Sequence, residues 1–309
     1  MKKIIPIYIV CALWAHQASA QTTHDFLVAA SNGDPVAQYN LAQCYRYGWG
    51  AEPNNTSYRH YLRLSAEGGE ERARGELADN LTPIAPNLAS YWRGEESSTL
   101  PYDYTYRSFD SGCYYGEIYR GTRDGYGTFV WDSGTIYVGR WENGERYGLG
   151  LSIFDTMTIF CTHTTSANGY GAALITAPDT HWAGAKGSLY YVGYLERDLP
   201  NGMGTLYDTE GRVTYYGAFA DGIPTGPYPT AESFSSYRWV REELANGDTW
   251  EGEMTDGVRD GFGIYTWGDG SRWYGFWQDG MRDGSGLYIR SDGALMSGTW
   301  ENGELKTDN

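Results

Sequence analysis

Roughly the last sixty residues of the chain repeat one unit three times in register. The three copies begin at Trp250, Trp273 and Met296, so that their first residues are 23 positions apart both times. A fixed period of this size is typical of a repeat architecture, in which each copy forms one supersecondary unit. The repeat therefore constrains the fold more than any single residue does.

Each copy predicts a β-hairpin. Its first, third and fifth positions are an aromatic residue or Met, then Gly, then an apolar residue, and on a strand these positions share one face. An Asp-Gly or Asn-Gly pair follows, which favours a tight hairpin turn. The second strand contains Gly-x-Gly, as at Gly261 and Gly263. Because glycine weakens a strand unless another group approaches closely, we expect a ring of the neighbouring hairpin over these glycines.

The same unit recurs upstream, and we expect its rings to pack the copies together. The ring residues are Tyr114, Tyr137, Trp141, Tyr191, Tyr215, Phe219, Trp250, Trp273, Trp277 and Trp300. A degenerate copy is expected near Phe160, with Gly169 and Gly171, which gives eight hairpins. The remaining residues of the stretches 151–190 and 227–249 are predicted to be loop insertions.

The pattern Tyr-x-Gly-x-x-x-x-Gly-x-x-x-Gly-x-Gly, from about Cys113 to Gly303, resembles the MORN repeat family. The resemblance implies an elongated, single-layer antiparallel sheet of stacked hairpins over 113–309. It also implies a role in binding another protein, and pairing of two copies of the chain into a homodimer.

The first twenty residues have the organisation of a bacterial-type signal peptide. Lys2 and Lys3 form the charged end, an apolar stretch follows, and Ala18-Ser19-Ala20 is a small-residue cleavage site. We therefore expect export, to the periplasm or the medium.

The exported chain would be strongly acidic. The formal net charge is −16, and without Lys2 and Lys3 it is −18, from 21 basic and 39 acidic residues. Nucleic acids and anionic lipid headgroups are bound by basic patches. The charge therefore argues against nucleic acid as a partner and against binding to an anionic membrane.

Residues 21–81 have a different composition and predict helices. Ala37, Leu41 and Tyr45 have helical spacing, and Asp34 with Pro35 is a helix start. Further helices are predicted over 55–67 and 70–81. Together with the glycines at 33, 48, 50, 68 and 69, this stretch is similar to the Sel-one-like repeat, a relative of the tetratricopeptide repeat. The fold class is thus α+β and mainly β, with 82–112 as a connecting segment.

No arrangement of residues in the sequence predicts catalysis, so no catalytic residue, metal or cofactor is assigned. Cys161 and His163 could be ligands or a thiol with its base, but two residues two apart on a strand often share a face by chance. Cys113 and Cys161 either form a disulfide or are separate buried thiols. The triplet Arg-Asp-Gly, at Asp124, Asp260 and Asp283, is interpreted as turn chemistry.

The aromatic content, 12 Trp and 28 Tyr, carries the functional hypothesis. Tyr216, Tyr274 and Phe276 lie on the face opposite the packing rings, and we take them as candidates for binding a protein partner. The favoured function is thus a non-enzymatic scaffold. The alternative is a module that binds an envelope glycan or peptidoglycan, and the third hypothesis is an enzyme acting through the insertion 156–181.

Overall fold

The computed structural model describes residues 22–82, 84–95, 104–175, 188–226 and 236–306. These residues form two compact units. One contains the helices and the segments 108–113 and 130–134, and the other contains most of the β-structure. The predicted signal peptide lies outside the described residues. Among the residues described, no helix has the length and apolarity that crossing a membrane requires.

Five helices, α1 to α5, form the N-terminal part of the description. They span 22–31, Pro35–Tyr47, Asn55–Glu67, Glu71–Leu81 and Pro86–Arg93. The predicted start of α2 is confirmed, because the Asp34 carboxylate accepts hydrogen bonds from the backbone N–H groups of Val36 and Ala37 at 2.9 and 3.0 Å. Gly48 ends α2 in the left-handed conformation, which a glycine adopts without strain.

The stretch 82–112, predicted to be a connecting segment, contains α5 and the strand Thr105–Phe109. Pro86 lies in the first turn of α5, where a missing N–H costs no hydrogen bond, so this proline begins a helix. The side chains of Leu88 and Trp92 in α5 are buried. The stretch predicted to connect the helices to the hairpins therefore contains a helix of its own.

A buried ion pair joins α3 to the segments 108–113 and 130–134 of the first unit. Arg63 of α3 donates two hydrogen bonds to the Asp132 carboxylate, each 3.0 Å long, and a third to Ser108 at 2.7 Å. The Nδ1 atom of His60 lies 2.8 Å from the same carboxylate. Because Arg63 and Asp132 are almost completely buried, each is the other's main compensation for lost hydration.

Nineteen strands, β1 to β19, make up the described β-structure. In chain order they are Thr105–Phe109, Gly112–Tyr119, Thr122–Trp131, Ile136–Glu142, Glu145–Ile153, Met157–Thr164, Ser166–Ala167, Gly169–Ile175, Ser188–Glu196, Leu199–Asp208, Val213–Ala220, Ile223–Pro224, Tyr237–Glu243, Thr249–Thr255, Val258–Thr266, Arg272–Gln278, Met281–Ile289, Leu295–Glu301 and Glu304–Lys306. Neighbouring strands follow chain order and are antiparallel, so the mainly β fold of stacked hairpins is confirmed.

The hairpins belong to two sheets, where one continuous sheet was expected. Strands β1 to β12 form sheet A, and β13 to β19 form sheet B. The fifth hairpin ends in a second strand of only two residues, Ile223–Pro224, whose proline has no N–H to continue a ladder. Part of the predicted insertion 227–249 is β13, the first strand of sheet B. The predicted loops at 176–187 and 227–235 lie outside the described residues.

Within the second unit the two sheets pack face to face, so the expected single layer is wrong. The ring of Tyr190 in sheet A stacks on Trp239 in sheet B, with centroids 4.2 Å apart. Phe160 meets Phe262 at 5.3 Å. Farther along, the Tyr126 hydroxyl accepts a hydrogen bond from the backbone N–H of Ser297 at 3.0 Å. We call the surfaces that meet the inner faces, and the opposite surfaces the repeat faces.

Candidate functional site

On the repeat faces of six hairpins, the first residue lies over glycines of its own two strands; these residues are Tyr114, Tyr137, Tyr191, Tyr215, Trp250 and Trp273. A Cβ atom on Gly263 would lie 2.0 Å from the Trp250 ring, and one on Gly286 would lie 1.9 Å from the Trp273 ring. Both rings are fully buried. The ring over the glycines was expected to come from the neighbouring hairpin, and it comes instead from the same hairpin, because the first position directly precedes the paired glycines on its face.

The fifth-position rings join one hairpin to the next. Trp277 meets the Trp250 ring of the preceding hairpin edge-on at 5.1 Å, and Trp300 meets Trp273 at 4.4 Å. Trp141 lies between Tyr114 and Tyr137 in the same way. The remaining packing residues follow suit, since Phe219 contacts the rings of Tyr191 and Tyr215. These ring contacts therefore hold successive hairpins together.

The first glycine of Gly-x-Gly is required for a different reason, its backbone conformation. Gly261 has φ +107° at a bulge in the pairing of β14 with β15, a conformation that other residues adopt only with strain. The fourth-position side chain, Glu253, lies over it and accepts a hydrogen bond from the backbone N–H of Phe262 at 2.6 Å. Glu117 accepts the equivalent bond from Tyr126 in the first repeat. A fourth-position glutamate thus completes the bulge of its own hairpin.

The Arg-Asp-Gly triplets link successive hairpins, but one of them departs from the pattern. The carboxylates of Asp124 and Asp283 lie within hydrogen-bonding distance of the backbone N–H groups of Asn143 and Asn302, in the turns of the following hairpins. This is the turn chemistry that the sequence indicates. Asp260 lies instead in the lining of a cleft between the sheets.

The degenerate copy near Phe160 is the hairpin of β6 and β8. Its register places Cys161 opposite Gly150, at the usual glycine position, and His163 opposite Gly148, at the fifth position. His163 accordingly packs edge-on against the Tyr137 ring at 5.0 Å, as Trp277 packs on Trp250 in its own pair of hairpins. This histidine therefore substitutes for a packing ring of the repeat.

The hydrogen bonds of His163 fit this structural role. Its Nδ1 atom lies 2.9 Å from the Cys161 carbonyl oxygen, which can only accept, so Nδ1 carries the proton and Nε2 accepts from Ser152 at 2.8 Å. Burial lowers the pKa of His163 to about 3 and raises the pKa of the Cys161 thiol to about 12. Cys44, Cys113 and Cys161 are buried and not disulfide-bonded, so the described structure has separate thiols at 113 and 161. In the part of the chain that is described, no group of three or more potential ligand side chains could hold a metal ion.

The inner faces enclose the strongest candidate site, which we call the tyrosine cleft. It has a volume of about 360 Å³ and collects side chains from strands of both sheets. The lining residues are Tyr170, Thr205, Tyr207, Val213, Tyr216, Tyr237, Glu253, Asp260 and Gly261. Two carboxylates and four tyrosines meet here, and none of these lining residues is basic.

Glu253 lies at the floor of the tyrosine cleft and joins the sheets. The Tyr207 hydroxyl of β10 donates to one oxygen of the Glu253 carboxylate in β14, and the Phe262 N–H donates to the other. Burial raises the pKa of Glu253 to about 7, and the nearby Asp260 charge acts in the same direction, although the two hydrogen bonds oppose it. Burial, and then the Glu253 charge, raises the pKa of Tyr170 to about 12. Near neutral pH the cleft therefore holds a carboxyl group that titrates.

The structure separates the three predicted binding residues. Tyr216 lines the cleft and is 49% exposed. Phe276 packs between the sheets, with its centroid 5.3 Å from Tyr170 and 5.7 Å from Phe262, so it contacts the chain's own rings. Tyr274 is half-buried opposite Leu287 on the same inner face. Binding by any of the three stays a prediction.

Sequence reasoning missed most of the cleft. Tyr170 belongs to the degenerate copy and Tyr237 to a stretch interpreted as a loop, so neither had a repeat position assigned to it. Glu253 and Tyr207 do alternate with packing residues along their strands, which places them on the inner faces. That alternation is the signal that could have identified them, once the presence of a second sheet was known.

Comparisons with known proteins identify the repeat. No curated protein shows significant sequence similarity to the chain. A solved structure, the TCP domain of SAS-4 (dCPAP) of Drosophila melanogaster in complex with a proline-rich motif of Ana2 (dSTIL), is 11% identical over 57% of this chain and 86% of that one, with a TM-score of 0.20. The sequence model of the MORN repeat matches 114–136, 137–156, 191–211, 250–272 and 273–295. Five of the hairpins in this chain are therefore MORN repeats.

Proposed function

We propose that this chain is a non-enzymatic scaffold that binds a protein partner in the tyrosine cleft. The observation that carries the proposal is the convergence of Tyr170, Tyr216 and Tyr237, each about half exposed, on one cavity between the sheets. Tyrosine offers a rigid apolar area with a polar tip, a combination that is enriched where proteins bind one another. MORN repeats commonly serve as protein-interaction or membrane-binding modules, which supports a scaffold.

The two carboxylates of the cleft resemble the active site of a hydrolase, since most glycosidases use a pair of carboxyl groups in a cleft. The bonds of Glu253 favour a structural role. Each of its oxygens already accepts a hydrogen bond, from Tyr207 and from the backbone of Phe262. Glu117 makes the same backbone bond at the same repeat position. The insertion 156–181, the expected place of an enzymatic site, is largely the hairpin of β6 and β8, and residues 176–181 lie outside the description.

Binding of an envelope glycan is the second candidate. Exposed tyrosine rings beside Asp260 and Thr205 favour it, because sugars stack on aromatic rings and bond to carboxylates and hydroxyls. A glycan partner predicts retention of the mature chain on purified envelope polysaccharide, and loss of that retention in Tyr216→Ala.

The test is site-specific photo-crosslinking in the source cells. A photoreactive phenylalanine analogue replaces Tyr216, and in a matched control it replaces Tyr119, which is 59% exposed on β2 and does not line the cleft. We expect a defined protein adduct from position 216 that is absent from position 119 and is suppressed by excess unlabelled protein. Identical adduct patterns from both positions would refute the cleft as the binding site.

Export and the acidic charge complete the proposal. The signal-peptide pattern favours the periplasm or the medium as the location of the scaffold, and the charge of −18 after cleavage disfavours nucleic acid and anionic membranes as partners. A homodimer stays a prediction, because the exposed edges of a sheet are the natural sites for pairing with another chain. Fusion of residues 1–22 to a reporter that is active only outside the cytoplasm tests the export.

We also infer that the helices are Sel-one-like repeats. Consecutive helices pack on one another, and small residues such as Ala42, Ala66 and Ala73 are fully buried where they meet. Gly68 supports the inference, since a Cβ atom there would lie 2.6 Å from the Pro35 ring. The residue is therefore a glycine because two helices approach closely at this turn.

A further inference from the structure

We propose that the tyrosine cleft recognises a lysine side chain on the partner protein. This inference rests on the proposed function, and it names the chemistry by which that function selects a partner. Four tyrosine rings and two carboxylates line the cleft, and no basic side chain is among the lining residues. Aromatic faces attract cations, and they do so more strongly in a site that is shielded from water. The two features together select a positive charge over a neutral or negative one.

The dimensions of the cleft suit the end of one side chain. Its volume of about 360 Å³ lies near the lower end of the range for ligand pockets, which is roughly 300 to 1,000 Å³. Tyr170, Tyr216 and Tyr237 are about half exposed, so each has a ring surface available to a visiting group. Glu253, which is 8% exposed, lies below them. A lysine can therefore lay its methylene chain along the rings and direct its ammonium group to the floor.

The hydrogen bonds at the floor suit an ammonium group. One Glu253 oxygen accepts from Tyr207 and the other from the backbone of Phe262, which leaves each oxygen one further lone pair for a compact donor. An ammonium group distributes three single donors. Glu253, Asp260 and the Thr205 hydroxyl are acceptors in the lining of the cleft.

The repeat pattern gives an independent indication. The aspartates at the matching position of two other repeats, Asp124 and Asp283, lie beside the N–H groups of a following turn. Asp260 has the same place in its triplet, yet it lines the cleft beside Glu253. The repeat at the cleft thus differs from the other two in directing its aspartate toward a second carboxylate. A neutral ligand would not require this second negative charge.

Binding of a cation should be coupled to the protonation state of Glu253 at the floor of the cleft. The groups that face Glu253 are Tyr207 of β10, Asp260 of β15 and, across the cleft, Tyr170 of β8, while the paired strand β13 presents the uncharged Trp239. Because the pKa of Glu253 is about 7, the deprotonated fraction rises about tenfold between pH 6 and pH 8. Lysine affinity should increase by about the same factor over this range.

The experiment measures binding of Nα-acetyl-lysine methylamide to the mature protein by NMR titration at pH 6, 7 and 8. We expect a dissociation constant of millimolar order and a tenfold gain from pH 6 to pH 8. The matching probes are acetyl-arginine methylamide, the neutral Nε-acetylated lysine derivative and tetramethylammonium chloride. The lysine probe should bind more tightly than all three.

Three variants locate the site. Glu253→Gln should weaken the lysine probe about tenfold and abolish the pH dependence, and Tyr216→Ala should weaken it several-fold. Tyr119→Ala, outside the cleft, should change nothing. Since Tyr216 is half exposed, its variant should keep the wild-type melting temperature, and this separates lost binding from lost folding.

Equal binding of the lysine probe and its neutral derivative overturns the proposal, as does unchanged binding in Tyr216→Ala. Binding of tetramethylammonium without lysine also overturns it and assigns the cleft to a small quaternary ammonium compound. If position 216 crosslinks a protein that contacts the cleft without a lysine, the lysine inference fails while the scaffold function stands. If the lysine probe binds but positions 216 and 119 give the same adducts, the scaffold function fails instead.

Discussion

Replacement of Glu253 by glutamine should change how the stability of the protein depends on pH. Glu253 has a pKa of about 7 in the folded chain, against an ordinary value of 4.5, because burial disfavours its charged form. A raised pKa means that the folded state holds its proton more tightly, so this contribution to stability is complete below pH 4.5 and is lost as the pH rises through 7. Integration from pH 4.5 to pH 8 gives a loss of about 3 kcal/mol. Glutamine keeps the shape but does not titrate.

Urea denaturation, followed by tryptophan fluorescence at intervals between pH 4.5 and 8, gives the unfolding free energy of both proteins. The difference, wild type minus Glu253→Gln, should fall by about 3 kcal/mol across this range, whereas contributions from groups that do not interact with Glu253 cancel. Glu117→Gln is the matched control, since Glu117 has the same repeat position but is only partly buried and its pKa is raised less. A difference that is flat with pH, or that rises, would show that the Glu253 carboxyl is not desolvated between the sheets.

Three further predictions concern the repeat faces. Gly263→Ala should cost roughly 3 kcal/mol or more of unfolding free energy, because the new methyl group overlaps the Trp250 ring. The control Gly257→Ala, in a turn with φ +81° and open space around it, should cost about 1 to 2 kcal/mol. Equal losses in urea denaturation would contradict the close-approach explanation. The pKa of His163 is lowered to about 3, so its contribution to the unfolding free energy is present above pH 6.5 and is lost as the pH falls. The unfolding free energy of wild type should fall by about 3 kcal/mol relative to that of His163→Phe between pH 6.5 and 4. A constant difference would refute the buried neutral imidazole. Cys161, whose pKa is raised to about 12 by burial, should react with iodoacetamide at pH 8 only after unfolding, as peptide mass spectrometry would detect, and rapid labelling of the folded chain would contradict its burial.

The local elements could be predicted from the sequence because their causes are local. Asp34 followed by Pro35 is sufficient to start a helix, and an Asn-Gly or Asp-Gly pair between alternating strands is sufficient to form a turn. The hairpin of the degenerate copy was also predicted, since Gly169 and Gly171 keep the spacing. Each of these signals depends on residues that are a few positions apart, so one sequence is enough to show them.

The packing of the two sheets could not be predicted in this way. The bond from Tyr207 to Glu253 joins residues 46 positions apart, and the contact from Tyr126 to Ser297 joins residues 171 positions apart. Nothing in a 23-residue unit says whether its inner face meets solvent or another sheet. Phe276 illustrates the difficulty, because an unassigned ring on a strand was interpreted as a binding residue and is part of the sheet-to-sheet packing.

The strand order has a consequence for how this chain folds. In each sheet every main strand pairs with its neighbours along the chain, so hairpins can form and join one after another with small losses of loop entropy. The face-to-face contacts join residues far apart in sequence and can form only when both sheets are largely assembled. We therefore expect rapid growth of each sheet followed by a slower docking step, with Trp239, stacked on Tyr190 across the sheets, as a reporter of the second step.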